Sequence, residues 1–168
     1  GAGIYAAKGS HLIVRDSSIV DNAAGYGGGI FGGTNTNITV HATILERNSA
    51  PSSYGDCSDT QGGGIFVSCN SRLSVMDATF TANVANFGGA ILSRNSVVIE
   101  RSLFNENRSG GDCSLGGGTI DASSVHITQS SIRNNQTNTS ISAKASYIDK
   151  STIAGNSGYA ASYGNITI

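Results

Sequence analysis

The sequence predicts an all-β chain: a right-handed parallel β-helix, a solenoid of about six coils with three short strands each. Three observations predict it. The register [Leu/Ile/Val]-x-[Val/Ile]-x-x-small-x-[Ile/Leu/Phe]-x-x-Asn recurs six times along the 168 residues with no insertion inside it. A glycine block stands ahead of the first five copies, closing on an apolar residue in the first four and on Thr in the fifth. Within each copy, apolar residues alternate with period two over short segments, the signature of strands rather than helices. Self-similarity at this spacing marks a stack of units, each of which shares its core with its neighbours.

Taken in chain order, each copy opens with its glycines: "GAGI" (1–4), "GGGI" (27–30), "GGGI" (62–65), "GGAI" (88–91) and "GGGT" (116–119), with "SI" (140–141) as a degenerate sixth. A corner that needs positive φ or close backbone approach between coils admits glycine without a Cβ clash. The second strand carries two inward columns. The first reads Leu12, Ile38, Leu73, Val97, Val125 and, as the exception, Ser146; the other reads Val14, Val40, Val75, Ile99, Ile127 and Ile148. A small column follows (Ser17, Thr43, Ala78, Ser102, Ser130, Ser151), which suits a bend over a narrow interior. The third strand holds the apolar anchors Ile19, Leu45, Phe80, Phe104, Ile132 and Ile153. Each anchor precedes an asparagine by three residues: Asn22, Asn48, Asn83, Asn107, Asn135 and Asn156. These six are expected to stack at one corner. Asparagine tolerates the left-handed conformation of a sharp turn, and its amide both donates and accepts from coil to coil. Approximate coil bounds are 1–26, 27–61, 62–87, 88–115, 116–140 and 141–168. No hairpin turn reverses the chain, so equivalent strands pair in parallel about 4.8 Å apart, and parallel crossovers wind right-handed.

Composition agrees. Gly is 23 residues, Pro 1 and charged residues 12%, with a formal net charge of −1. Collagen is excluded by the missing glycine period, and disorder by the patterned apolar residues. A near-neutral global field favours neither nucleic acid nor an anionic membrane. With no run of about 18 apolar residues, no membrane insertion is expected. The opening "GAGIYAAKGS" lacks the features of a signal peptide and suits a mature product or a piece of a longer chain. Of the three cysteines, Cys57 and Cys113 share the spelling "GDCS", which suggests a disulfide; three reduced or separately paired thiols are the alternative.

Chemistry is sparse. Cleavage of a polysaccharide needs paired carboxylates, or a base beside cationic stabilisation. The outward column after the second strand reads Arg15, His41, Met76, Glu100, Thr128, Asp149, and the next reads Asp16, Ala42, Asp77, Arg101, Gln129, Lys150. Neither places two carboxylates on adjacent coils, and Asp77 beside Arg101 reads as a surface ion pair. His11, His41 and His126 fall in different columns. "GGDCSLGGG" (110–118) only superficially resembles a calcium-binding repeat, and no GK[ST] follows the glycines to make a phosphate cradle. No catalytic residue, metal or cofactor is expected.

Binding features are clearer. Tyr5, Phe31, Phe66, Leu92 and Ile120 each follow the apolar residue of a glycine block, so they form an apolar outward stripe unless the corner turns the rings inward. Two long segments, 49–61 (with Tyr54) and 108–115, leave the same corner two coils apart, where recognition is often carried. Sequons at Asn37, Asn138 and Asn165 are candidate glycosylation acceptors. Those at Asn107 and Asn135 fall inside the asparagine column, where a glycan fits poorly.

The paired motifs resemble those of the polymorphic outer membrane protein family, whose surface-exposed passengers carry "GGAI" and "FxxN" repeats. "GGAI" stands here at 88–91, "FTAN" at 80–83 and "FNEN" at 104–107, and the resemblance extends over nearly the whole chain. It implies an extracellular or cell-surface location and a structural or adhesive role, with no anchoring barrel to carry over. The expected function is a non-enzymatic structural or adhesive β-helix segment. Its expected partners are further coils of the same or a neighbouring subunit, and glycans or a cell-surface receptor. Uncapped strands at both ends suit a piece of a longer solenoid, or a subunit stacking end to end into a filament. The alternative is a polysaccharide-binding or polysaccharide-cleaving, pectate-lyase-like β-helix.

Overall fold

A computed structural model describes residues 2–51, 60–110, 117–162 and 165–167, and every strand in it pairs in parallel with its counterpart one coil away. The first three coils follow the expected plan of three strands. They contain β1 (Ile4–Ala6), β2 (His11–Arg15) and β3 (Ser18–Val20); β4 (Ile30–Gly32), β5 (Asn37–His41) and β6 (Ile44–Glu46); and β7 (Ile65–Val67), β8 (Arg72–Met76) and β9 (Thr79–Thr81). A short strand β10 (Val84–Ala85) then pairs with β13 (Arg108–Ser109) beyond the asparagine corner.

From the fourth coil the first two strands fuse, giving β11 (Ile91–Glu100), β14 (Gly118–Thr128) and β16 (Thr139–Asp149). The cause is local. In the earlier coils Gly9, Asn35 and Asn70 bend the chain at φ 75°, 57° and 56°. Ser123 and Lys144 stand near that point in later coils, and the strand runs through. At Asn95 the extra residue is taken up by a register shift between Ser93 and Ser96. The remaining strands are β12 (Leu103–Asn105), β15 (Ser131–Arg133), β17 (Thr152–Ala154), β18 (Tyr159–Ser162) and β19 (Asn165–Thr167). β3, β6, β9, β12, β15 and β17 form one sheet; the first and second strands share the other large one.

The fixed spacing of the repeat has a backbone cause. Two left-handed bends bracket every anchor strand. The first falls on Asp16, Ala42, Asp77, Arg101, Gln129 and Lys150, at φ between 46° and 52°. The second falls on Asp21, Arg47, Ala82, Glu106, Asn134 and Gly155, at φ between 50° and 65°. Inserting a residue between them would rotate the anchor out of the core. This corrects one expectation: the left-handed residue is the one before each asparagine, not the asparagine itself. Such a conformation costs a residue with a Cβ about 1–2 kcal/mol, so something must hold these corners. Part of the holding is inter-coil hydrogen bonding carried through the bend, as from Asp77 N–H to Glu100 O (3.0 Å) and from Arg47 N–H to Thr81 O (3.0 Å).

The glycine blocks need glycine for two reasons. Gly62 adopts φ 68°. At Gly63 a Cβ would lie 2.3 Å from the Gly89 carbonyl oxygen of the next coil. The fifth block sits one residue later than expected: Ile91 pairs with Ile120, and Leu92 with Asp121. Ile120 is therefore fully buried in the inward column Ile4, Ile30, Ile65, Ile91, Ile120, Ile141 and does not belong to the outward stripe.

The predicted columns fill the interior. Ile38, Val40, Leu45, Phe80, Ile99 and Phe104 have no exposed surface, and the Phe80 and Phe104 rings stack at 4.7 Å and 11°. Each such side chain contributes about 1.5–3 kcal/mol by leaving water. Ser146 breaks the pattern. It pairs with Val125, is 5% exposed, and its hydroxyl has no hydrogen-bond partner. Ser146→Val should raise stability by about 1–2 kcal/mol, by removing a buried unpaired hydroxyl and restoring the apolar column. Thermal melting checks this: the midpoint should rise by roughly 2–4 °C per kcal/mol for a chain of this size.

Candidate functional site

The asparagine corner is a continuous hydrogen-bonded row. The main-chain N–H and the Nδ2 of Asn48 both donate to Oδ1 of Asn83, at 3.0 and 3.1 Å. Asn83 donates the same way to Asn107 (3.0 and 3.0 Å), and Asn107 to Asn135 (2.8 and 3.1 Å). Asn22 opens the row onto Asn48, and Asn135 continues it onto Asn156. The second Nδ2 hydrogen turns back to the anchor carbonyl of the preceding coil, as from Asn83 to Leu45 O at 2.8 Å. Asn48, Asn83 and Asn107 have no exposed surface and Asn135 has 1%. The row thus satisfies the corner and leaves nothing for a ligand, and it closes Asn107 and Asn135 to glycosylation. Asn37, Asn138 and Asn165 have exposed side chains.

A second row runs along the small column, where only a bend over a narrow interior was expected. The Ala78 N–H donates to Ser102 Oγ (3.1 Å), the Ser102 N–H to Ser130 Oγ (3.0 Å), and the Ser130 N–H to Ser151 Oγ (3.1 Å). Each hydroxyl also donates to the carbonyl two residues back, as from Ser102 to Glu100 O at 2.8 Å. The "small" class in the sequence is therefore largely a hydroxyl class.

Four outward carboxylates are clamped by arginine. Arg101 grips Asp77 through Nε (2.7 Å) and Nη2 (2.9 Å) while its Nη1 meets Glu100, and His41 Nε2 lies 3.3 Å from Asp77. One coil pair earlier Arg47 repeats this on Asp21 (2.7 and 2.9 Å) and Glu46. Asp77 and Glu100 thus meet diagonally, across two columns, a neighbourhood that comparison within one column misses. The Arg101 hydrogen bonds hold the Asp77 carboxyl below its usual range, with the Arg101 and His41 charges acting in the same direction. Asp77 is a poor proton donor there.

The outward stripe is real and graded. Tyr5 is 68% exposed and stacks on Phe31 (5.3 Å, 18°), and Phe31 stacks on Phe66 (5.4 Å, 24°). Phe66 is only 5% exposed, because Tyr26 from the corner lies over it (5.4 Å) and meets Phe31 edge-on (6.4 Å, 74°). Aromatic rings therefore fill the valley between strand and corner in the early coils. The same outward column continues as Leu92, Asp121 and Ser142, and the corner as Gln61 and Phe87. Smaller side chains leave the valley open, as a groove of about 1350 Å³ running from β11 to β18. Leu92 lines it, along with Arg94, Ser123, Lys144, Asn138 and Tyr159.

Asp121 is the residue that sequence reasoning missed, because the fifth glycine block was set one position early. Non-apolar Thr119, followed by Ile120, was the available signal. Its carboxylate accepts from Gly88 N–H (2.6 Å) and Gly118 N–H (2.9 Å). In earlier coils the opening glycine instead donates to a main-chain carbonyl, Gly27 to Gln61 O and Gly62 to Phe87 O. Asp121 therefore stands in for a carbonyl. Burial pushes its carboxyl up to about 6, against the opposing pull of Gly118, Gly88 and the Ser142 hydroxyl. Part of the side chain still faces the groove.

Tyr54, Cys57 and Cys113 lie outside the described residues, as do most of the 49–61 and 108–115 segments; Cys69 is free and exposed. The feet of the second segment are described: the N–H groups of Gly110 and Gly117 both donate to Asn86 O (3.2 and 3.0 Å), so it leaves and returns at one point beside the groove. Among the described residues no group of three metal-ligating side chains converges.

One comparison decides the family of these stacked parallel coils. The model of the family described as "Right handed beta helix region" matches residues 1–104. The chain belongs to that right-handed β-helix family. No curated protein and no solved structure matches it. The shifted glycine block, Ser146 and the degenerate "SI" all lie beyond residue 104, and β-helix pairing continues through them.

Two predictions follow from these rows and from Asp121. Asn83→Ala should cost about 3 kcal/mol, since the Asn48 N–H, the Asn48 amide and the Leu45 carbonyl lose buried partners. Asn22→Ala, at a half-buried position, should cost about 1 kcal/mol; equal losses in chemical denaturation would refute the row. For Asp121, the folded chain holds a proton between about pH 4 and 6 that the unfolded chain has released, so its contribution to stability falls as pH rises through that window. Melting midpoints at pH 5 and pH 7 should therefore diverge less in Asp121→Asn than in the parent chain.

Proposed function

We propose that this chain is a non-enzymatic structural and adhesive β-helix segment of a secreted or cell-surface protein, with the β11–β18 groove as its recognition surface. One observation carries the reading. The groove presents hydroxyls, amides, aromatic rings and two cations, while its carboxylate, Asp121, is already engaged by two main-chain amides and a serine. A group committed to closing the backbone ladder is poorly placed to shuttle protons. Four outward carboxylates, Asp21, Glu46, Asp77 and Glu100, are held by Arg47 and Arg101. The "GGAI" and "FxxN" resemblance supports the location and the adhesive role.

Polysaccharide cleavage is the competing reading. What favours it is Asp121 itself, since a carboxyl raised to about 6 in a cleft has the acidity of a general acid. The two readings separate in one assay. The chain, incubated with uronic-acid and neutral polysaccharides, should bind them without releasing shortened products, and Leu92→Glu, which sets a negative charge in the groove, should weaken binding of the uronic-acid polymers. Product release abolished by Asp121→Asn or Asp77→Ala would overturn the proposal.

A further inference from the structure

We propose that the outward face of the second strands docks a second copy of this chain, packed face to face with the order of its coils reversed. This surface lies on other columns than the groove and acts independently of it.

Two outward rows cross that face in unbroken register over six coils. One reads Ile13, Thr39, Ser74, Val98, His126 and Tyr147; the other reads Arg15, His41, Met76, Glu100, Thr128 and Asp149. Three large apolar side chains stay in water in the first row: Ile13 is 50% exposed, Val98 49% and Tyr147 43%. The Tyr147 ring stacks on His126 at 4.5 Å, which sets it in place. Apolar side chains aligned on one face, rather than scattered singly, mark a contact surface.

The order of residues along the rows selects the partner. Two identical faces meet about a two-fold axis lying in the interface, and each contact then occurs twice. With that axis along the coil stack, each coil faces its own counterpart and the rows exchange sides. Arg15 would then oppose His11 of the second copy, and Asp149 would oppose Ala145, so neither charge finds its opposite. With the axis along the strands, coil order reverses and each row meets itself. The first coil now faces the sixth, which sets Ile13 on Tyr147 and Arg15 on Asp149. The second faces the fifth, with Thr39 on His126, and the third faces the fourth, with Ser74 on Val98.

The two charges have room for each other. Arg15 is exposed and takes part in no ion pair among the described residues. Asp149 meets Lys150 Nζ at 4.0 Å, the limit of an ion pair. Glu100 and His41, by contrast, are engaged by Arg101 and Asp77. Six strands about 4.8 Å apart, each five residues long, make a face of about 500 Å². Two copies thus cover about 1,000 Å², at the lower limit for a specific interface, which makes the dimer weak and reversible.

Sedimentation equilibrium on the whole chain tests this at low ionic strength. The chain is used without glycans, since Asn37 stands on this face, and under reducing conditions, since Cys69 is exposed. A monomer–dimer equilibrium is expected. Arg15→Asp and Asp149→Arg should each weaken the dimer by at least about 10-fold, because each sets like charges together at both ends of the interface. Mixing the two variants in equal amounts should restore it, since opposite charges then face each other at both ends. No dimer up to millimolar concentration, or a dimer indifferent to both reversals, would overturn the proposal. So would a mixture that associates no better than its components, or growth beyond the dimer, which a closed two-fold contact forbids.

Discussion

Everything in this chain depends on one requirement: each coil must superimpose on the next closely enough for its main-chain amides to find partners around the full circuit. Parallel strands do this easily along their length. Corners do not, because the chain must turn sharply while still pointing N–H groups along the axis. Two left-handed residues per coil achieve the turn, at a conformational cost, and two side-chain rows repay it with buried hydrogen bonds. At the asparagine corner an amide oxygen replaces the main-chain carbonyl that the geometry removes. At the preceding bend a hydroxyl does so. At Asp121 a carboxylate makes the same substitution, with a titratable group where the others are neutral.

That logic separates scaffold from surface. The residues most conspicuous in the sequence, the repeated asparagines and glycines, are spent on stacking. The outward columns are freer of that constraint and vary from coil to coil, with Asp121 the exception that also closes the ladder. The valley beside the glycine corner shows the consequence. Filled by Tyr26, Phe31 and Phe66 at one end and open over Asp121 and Ser142 at the other, it is one architectural feature serving as wall and then as groove.

How much could be read without coordinates followed the same division. Inward columns and the asparagine row were legible because burial and stacking impose one residue class per position. The ion pair of Asp77 and Arg101 was legible from column neighbours. The left-handed bends were not, because Asp16, Arg47 and Gln129 share no chemistry; only backbone geometry unites them. The hydroxyl row was seen as smallness, since Ala78 sits among its serines. The groove was hidden by a one-residue misalignment at 116–119, which put Ile120 where Asp121 belongs. Fusion of the first two strands in later coils depended on the lack of Gly or Asn at Ser123 and Lys144, a weak signal beside the repeat.

The asparagine row also has a direction. Each inner amide of the row gives hydrogen to the following asparagine through its main-chain nitrogen and one Nδ2 hydrogen, and takes hydrogen from the preceding one through Oδ1. Aligned over several coils, these dipoles make a vector along the solenoid axis, so its two faces are chemically unlike, one offering donors and the other acceptors. Any surface that continues the row must meet it head to tail. A mirror-like meeting of two equivalent faces would set donor against donor, and the polarity of a single side-chain amide thereby becomes a rule of orientation for the whole column.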